Sequence, residues 1–176
     1  NEGDTLIKIS TEDVKTKKKK KQLEKLSTLA KIVRVNAEAN MQNLVPDEYI
    51  LEKNRELMNN EIVLFESNLS KLNTSINILN EQIKQKENEL KENEAKLIIL
   101  RNSHLLLTKE IDIKKVLVHD KIISEVDFFF LKRRYNDTDL ELKNTQSMIP
   151  ILNSSIAELY ENIEDAKEKY KNDAKN

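Results

Sequence analysis

Residues 47–117 read DEYILEKNRELMNNEIVLFESNLSKLNTSINILNEQIKQKENELKENEAKLIILRNSHLLLTKEIDIKKVL, 71 residues without a glycine, a proline or a cysteine. Two alternating rows of positions run through this stretch at steps of three and four. One holds Leu51, Met58, Phe65, Leu72, Leu79, Lys86, Asn93, Leu100 and Leu107, and the other holds Ile62, Leu69, Ile76, Ile83, Leu90, Leu97, His104 and Ile111. Fourteen of these 17 positions are apolar and the phase never slips. That spacing keeps one side of a helix facing a partner, and so many repeats in one phase mark a coiled coil. Pro46, with Asp47 and Glu48 behind it, reads as the opening turn of this helix B, with proline at its first position.

Working outward, a shorter stripe of Leu23, Leu26, Ala30, Val33, Ala37, Asn40 and Leu44 precedes Pro46. It predicts a helix A that stops before the proline. On the other side, a polar point at His119, Asp120 and Lys121 predicts a chain reversal. Beyond it Phe128, Leu131, Tyr135, Thr138, Leu142, Thr145, Ile149, Leu152, Ile156, Leu159, Ile163, Ala166 and Tyr170 step by three and four and predict helix C. The phase is kept across Pro150, so helix C is expected to be continuous and kinked there. The expected layout is a frayed 1–15, the basic run and helix A over 16–45, helix B over 47–117, a reversal over 118–127, and helix C over 128–172.

The class is therefore all-α: an elongated antiparallel coiled-coil or helical hairpin, with one long central helix and two shorter helices folded back on it. The stripes of A and C together are about as long as the stripe of B, which a lone amphipathic helix could not leave in water. Antiparallel folding from both ends would bring the start of A and the end of C together near Leu69 and Leu72. Lys17 to Lys21 would then lie beside Glu161, Glu164, Asp165 and Glu168. The expected helix–helix interface is Met58, Ile62, Phe65, Leu69, Leu72, Ile76, Leu79, Ile83, Leu90, Leu97 and Leu100 from B, with Leu131, Tyr135, Leu142, Ile149, Leu152, Ile156, Leu159 and Ile163 from C. Phe129 and Phe130 cannot both face one seam, so one of them is expected to cover a second helix or a partner.

Composition narrows the chemistry. Charged residues make up 35% and hydrophobic residues 38% of the 176, the balance of helices with a narrow buried stripe and a wide solvated face. Gly3 is the only glycine and there is no cysteine, so no phosphate-cradling turn, nucleophile elbow, thiolate site or disulfide framework can be built. His104 and His119 stand alone, and His104 lies on the seam, where an imidazole fills a wet layer. No enzyme, cofactor or metal is expected. The acidic groups Glu87, Glu89, Glu92 and Glu94 alternate with lysines at helical spacing and read as a solvated face.

The net charge of -1 argues against nucleic acid as a partner, leaving other helical proteins and self-association. Lys17, Lys18, Lys19, Lys20 and Lys21 form the one strong charge run, read as a nuclear localisation signal, a grip on phosphate or anionic lipid, or a solubilising end. The function expected from these features is a non-enzymatic scaffold subunit in an intracellular assembly such as a kinetochore or cytoskeletal complex. The lysine run leans that assembly toward the nucleus. Two alternatives stand beside it. One is a secreted or surface-exposed helical protein of a parasite or bacterium, suggested by the Asn and Lys richness, the Asn-x-Ser/Thr sequences at Asn68, Asn73, Asn136 and Asn153, and a first residue that is not methionine. The other is a peripheral membrane or tethering module.

Overall fold

The computed structural model describes residues 11–175, and these form three helices: α1 (Thr11–Ala39), α2 (Glu48–His119) and α3 (Glu125–Lys175). The protein is an all-helical hairpin, as its periodicity requires. The chain divides into two compact units, one of residues up to Ile76 together with those from Glu164 onward, the other of Asn77–Ile163.

In the second unit α2 and α3 run antiparallel. Lys96 pairs with Glu141 at 2.7 Å, and His104 stacks on Tyr135 with ring centroids 4.7 Å apart. The turn is tighter than the expected 118–127. Lys121 takes left-handed backbone geometry at φ 57°, its N–H bonds to the Val118 carbonyl, and the Ile122 N–H bonds to the Leu117 carbonyl. This is a Schellman ending, which satisfies carbonyls that the last helical turn cannot. Ser124 then caps α3 by accepting the Val126 N–H at 3.1 Å. α3 continues as helix through Pro150, whose missing N–H leaves the Gln146 carbonyl without its helical donor.

In the first unit the direction of α1 departs from the expectation. Arg34 of α1 pairs with Glu61, and Glu38 of α1 accepts from Asn68. Numbers rise together on both helices, so α1 lies parallel to α2. The connection makes this possible. α1 ends at Ala39, before the expected stop, in a second Schellman motif with Met41 at φ 53°, the Met41 N–H on the Glu38 carbonyl and the Gln42 N–H on the Ala37 carbonyl. Residues 42–47 then run without regular structure, and Leu44 packs on the core of Ala30, Ile50 and Met58. At roughly 3.3 Å per residue the eight residues between the helices cover about 26 Å, the length of about 18 residues of helix at 1.5 Å each. The connection thus carries the chain back along α1 before α2 begins. Lys17–Lys21 consequently lie inside α1 near the start of α2, and not beside the end of α3. The expected frayed stretch 1–15 is helical from Thr11, and residues 1–10 lie outside the described residues.

α2 also carries a break that its apolar stripe did not reveal. Asn54 is extended (φ -158°, ψ 89°) and its Oδ1 accepts the Leu57 N–H at 3.3 Å, so it caps the helix that follows. Asp47 caps the short piece before it, accepting the Ile50 N–H at 3.1 Å. Pro46 therefore precedes the cap and is not the first helical residue.

Both Schellman positions hold residues with a Cβ, which makes left-handed geometry costly. Lys121→Gly and Met41→Gly are each expected to raise stability by about 0.5–1 kcal/mol, the relief of the Cβ clash less the extra freedom of glycine in the unfolded chain. Thermal melts measure this. A fall in melting temperature on either change would show that the side chain contributes more than its backbone costs.

Candidate functional site

Where α1 ends, the first unit brings three helices together around a buried charge network. Small residues on α1 allow it. Ala30 is fully buried and Ala37 nearly so, and the close approach they permit carries Arg34 and Glu38, one turn apart, into the packing. The Arg34 guanidinium donates to Glu38 and to Glu61, each at 2.6 Å, while Asn68 Nδ2 donates to the other Glu38 oxygen at 2.9 Å. Glu38 is only 1% exposed. Burial works against the Arg34 charge, but its hydrogen bond to Glu61 and the charges of Glu38 and Glu61 outweigh it and hold its pKa above the ordinary arginine value. On the α3 side, the Tyr170 hydroxyl is buried without a hydrogen-bond partner, and burial first, then the Glu38 charge, push its pKa up. A cavity of about 380 Å³ opens beside these groups, lined also by Lys71, Lys169 and Asp173. The network supplies no nucleophile–base pair. Its visible consequence is to tie α1 to one position along α2. Asn68, one of the four sequon asparagines, is occupied in this bond.

In the second unit the site is a surface. None of the expected interface residues is exposed: Met58, Phe65, Leu72, Ile83, Leu97, Leu100, Leu131, Leu152 and Ile163 are buried, and Ile62, Leu69, Ile76, Leu79, Leu90, Tyr135, Leu142, Ile149, Ile156 and Leu159 are half-buried. Polar residues interrupt the seam in the second unit. Lys86 pairs with Glu89 at 2.7 Å, Asn93 donates to the Glu89 carbonyl at 2.8 Å, and His104 Nε2 lies 3.3 Å from Asp139 Oδ1 without the alignment of a hydrogen bond. Asp139 itself is held below the ordinary aspartate value, first by the hydrogen bond from Lys143 and then by the charges of Lys143 and His104. Outside the seam, Ile98, Ile99, Leu105, Leu106, Ile113 and Val116 of α2, with Val126, Phe129, Phe130 and Leu140 of α3, are each more than half exposed. Both Phe129 and Phe130 are open. Only Phe128 turns inward, with Lys132 Nζ 4.9 Å from its ring centroid.

Among the described residues no three His, Asp or Glu side chains converge to hold a metal ion, and no helix is long and apolar enough to cross a membrane.

The second unit is thus a helical hairpin whose two arms close one seam and leave apolar rows open outside it. The chain belongs to the family described as "AprE, long alpha-helical hairpin", which matches residues 17–176. Among solved structures it is similar to the soluble domain of LipC, a membrane fusion protein of a type I secretion system, with a TM-score of 0.82 and 15% identity over 98% of this chain and 84% of that one. No curated protein gives a significant match. The family and this likeness overturn the intracellular, nuclear scaffold expected from the lysine run, and with it the nuclear localisation reading of Lys17–Lys21 and the kinetochore or cytoskeletal setting. Five consecutive lysines are compatible with any solvated helix end, and their composition does not encode a compartment.

Proposed function

We propose that this chain is the helical-hairpin part of a membrane-fusion-type component of a bacterial secretion system, acting outside the cytoplasm as a non-catalytic structural link between other proteins of the export complex. The family match across residues 17–176 carries the reading, and the likeness to LipC supports it. The chemistry of the chain agrees. Rows of exposed Ile, Leu, Val and Phe along both arms of the second unit favour helical partners, since such patches are stable in water only when covered. Of the alternatives drawn from the sequence, the surface-exposed bacterial protein is the one that these findings favour, and the tethering module is close to it.

The test is export of a type I substrate from the source bacterium with and without this protein. In place of the wild-type protein, one carrying Phe129→Glu with Phe130→Glu is expected to reduce export of a type I substrate by about tenfold or more, because a charge in an apolar contact costs on the order of 2 kcal/mol or more. Its amount in the cell envelope should not change, as both side chains point away from the seam. Normal export from a strain lacking the protein altogether would end the secretion reading. Normal export with the double substitution alone would move the contact to another face.

A further inference from the structure

The start of α1 carries Lys15, Lys17, Lys18, Lys19, Lys20, Lys21 and Lys25, all exposed. With Arg34 opposite Glu61 and Glu38 opposite Asn68, the α1 residues ahead of Lys19 lie beyond the start of α2. Successive helical residues turn by about 100°, so these lysines surround the helix axis. Such a stretch repels itself and lacks the packing that stabilises most protein helices.

Where α1 first meets α2, two of these lysines, Lys19 and Lys25, border a groove of about 420 Å³. Its floor is apolar, formed by Leu23, Leu26 and Tyr49, and Leu23 and Tyr49 are 50% and 57% exposed. Its rim is Lys19, Lys25 and Lys53, and among the described residues lining it there is no carboxylate. Tyr49 and Lys53 stand on the short piece of α2 bounded by the Asp47 and Asn54 caps, with Ile50 anchored in the core on its other side. Lys53 Nζ lies 5.9 Å from the Tyr49 ring centroid, which favours a rim charge held beside the floor.

We propose that this groove docks an acidic amphipathic helix of a partner protein, with its apolar residues on Leu23, Leu26 and Tyr49 and its carboxylates on Lys19, Lys25 and Lys53. Charge complementarity selects the partner. A solvated face mixes signs, whereas this lining presents only cations around an apolar floor. Shape separates a helix from a membrane. An apolar helix edge enters a groove through side chains spaced three and four apart. A flat anionic bilayer would meet lysines on one side of α1 only, whereas Lys19, Lys25 and Lys53 flank the apolar residues from both helices. This surface is distinct from the apolar rows of the second unit, and the inference does not depend on the secretion reading.

The experiment is fluorescence anisotropy of the full chain with a labelled peptide of about 18 residues, five helical turns, bearing Leu along one face and Glu along the other. Lys19→Gln, Lys25→Gln and Lys53→Gln combined remove three rim charges. Lys17→Gln, Lys18→Gln and Lys20→Gln combined remove three charges outside the groove. The rim variant is expected to weaken binding about tenfold, the control by no more than about threefold, and Leu23→Ser to weaken it with no change of charge. Circular dichroism of each variant confirms that the helices are retained. Equal losses in the two lysine variants, or no loss with Leu23→Ser, would overturn the proposal in favour of diffuse charge attraction. Binding to phosphatidylglycerol-containing vesicles with none to the peptide would overturn it in favour of a lipid surface.

Discussion

Cutting Met58 back to alanine is expected to lower the unfolding free energy by about 2–5 kcal/mol, the range for truncating a fully buried long side chain. Met58 is 0% exposed and packs with Ala30 and Ile50, with Leu26, Leu29, Val33, Leu44, Leu51 and Ile62 around them. It is the point at which α1, the returning connection through Leu44 and α2 all meet, so the cavity would be felt by three segments at once. Relaxation is limited on the α1 side, because the methyl group of Ala30 cannot swing into the space. The loss should be local to the first unit, where this cluster packs α1 against α2. Hydrogen exchange should therefore show α1 amides opening before those around Leu97 and Leu131. Urea titration of the full chain gives the magnitude. A cost below about 1 kcal/mol would mean that α1 contributes little to stability and rests on α2 only weakly.

The hairpin was legible because its signal is redundant. Fourteen apolar positions in one phase can be read without knowing what they touch, and Pro46 and the polar point at His119–Lys121 bracket them. Direction was not legible for α1. A stripe of Leu23, Leu26, Ala30 and Val33 presents the same face whether the helix runs up or down its neighbour, and matching stripe lengths cannot distinguish the two. What decides is the connection. Met41 and Lys121 both end helices in left-handed geometry without the glycine that usually marks such a point, so the early stop at Ala39 carried no sequence signal. The six residues that follow were assigned to helix A, although Val45 is 77% exposed and Leu44 reaches the core from an extended segment. Asn54 was hidden in the same way, since an asparagine one turn ahead of Met58 breaks no apolar pattern while capping the helix after it.

The charge network was missed because Arg34 and Glu38, spaced four apart, look like one more surface pair. The available signal was their position beside Ala30 and Ala37, where small residues let a neighbouring helix come close enough to bury what flanks them. The lysine run misled in the opposite sense. It was given a compartment, while the physical content of the run is only charge and helix. The structure places Lys19 of the run at the edge of a groove, which no one-dimensional reading of the run could have supplied.

Arg34→Met is expected to cost about 3–5 kcal/mol, the penalty of leaving a buried charge without its partner. The side chains of Glu38 and Arg34 are 2% and 13% exposed, so solvent cannot replace the guanidinium. Asn68 would remain as the one neutral donor to the Glu38 carboxylate, and one amide does not compensate a buried charge. Glu61, at 17%, is better placed to turn outward and should add less. Removing both buried members, Arg34→Met with Glu38→Met, is expected to return stability to within about 1 kcal/mol of the wild type, since an apolar pair of similar volume replaces an ion pair at little net cost. The two variants then separate stability from register. If the network fixes where α1 sits along α2, spin labels at Thr28 and Asn60 in the double variant should give a broader distance distribution than in the wild type, although the melts agree. An unchanged, narrow distribution would show that the packing of Ala30 and Met58 sets the register alone. A single Arg34→Met variant as stable as the wild type would show that Glu38 is not held as a buried charge.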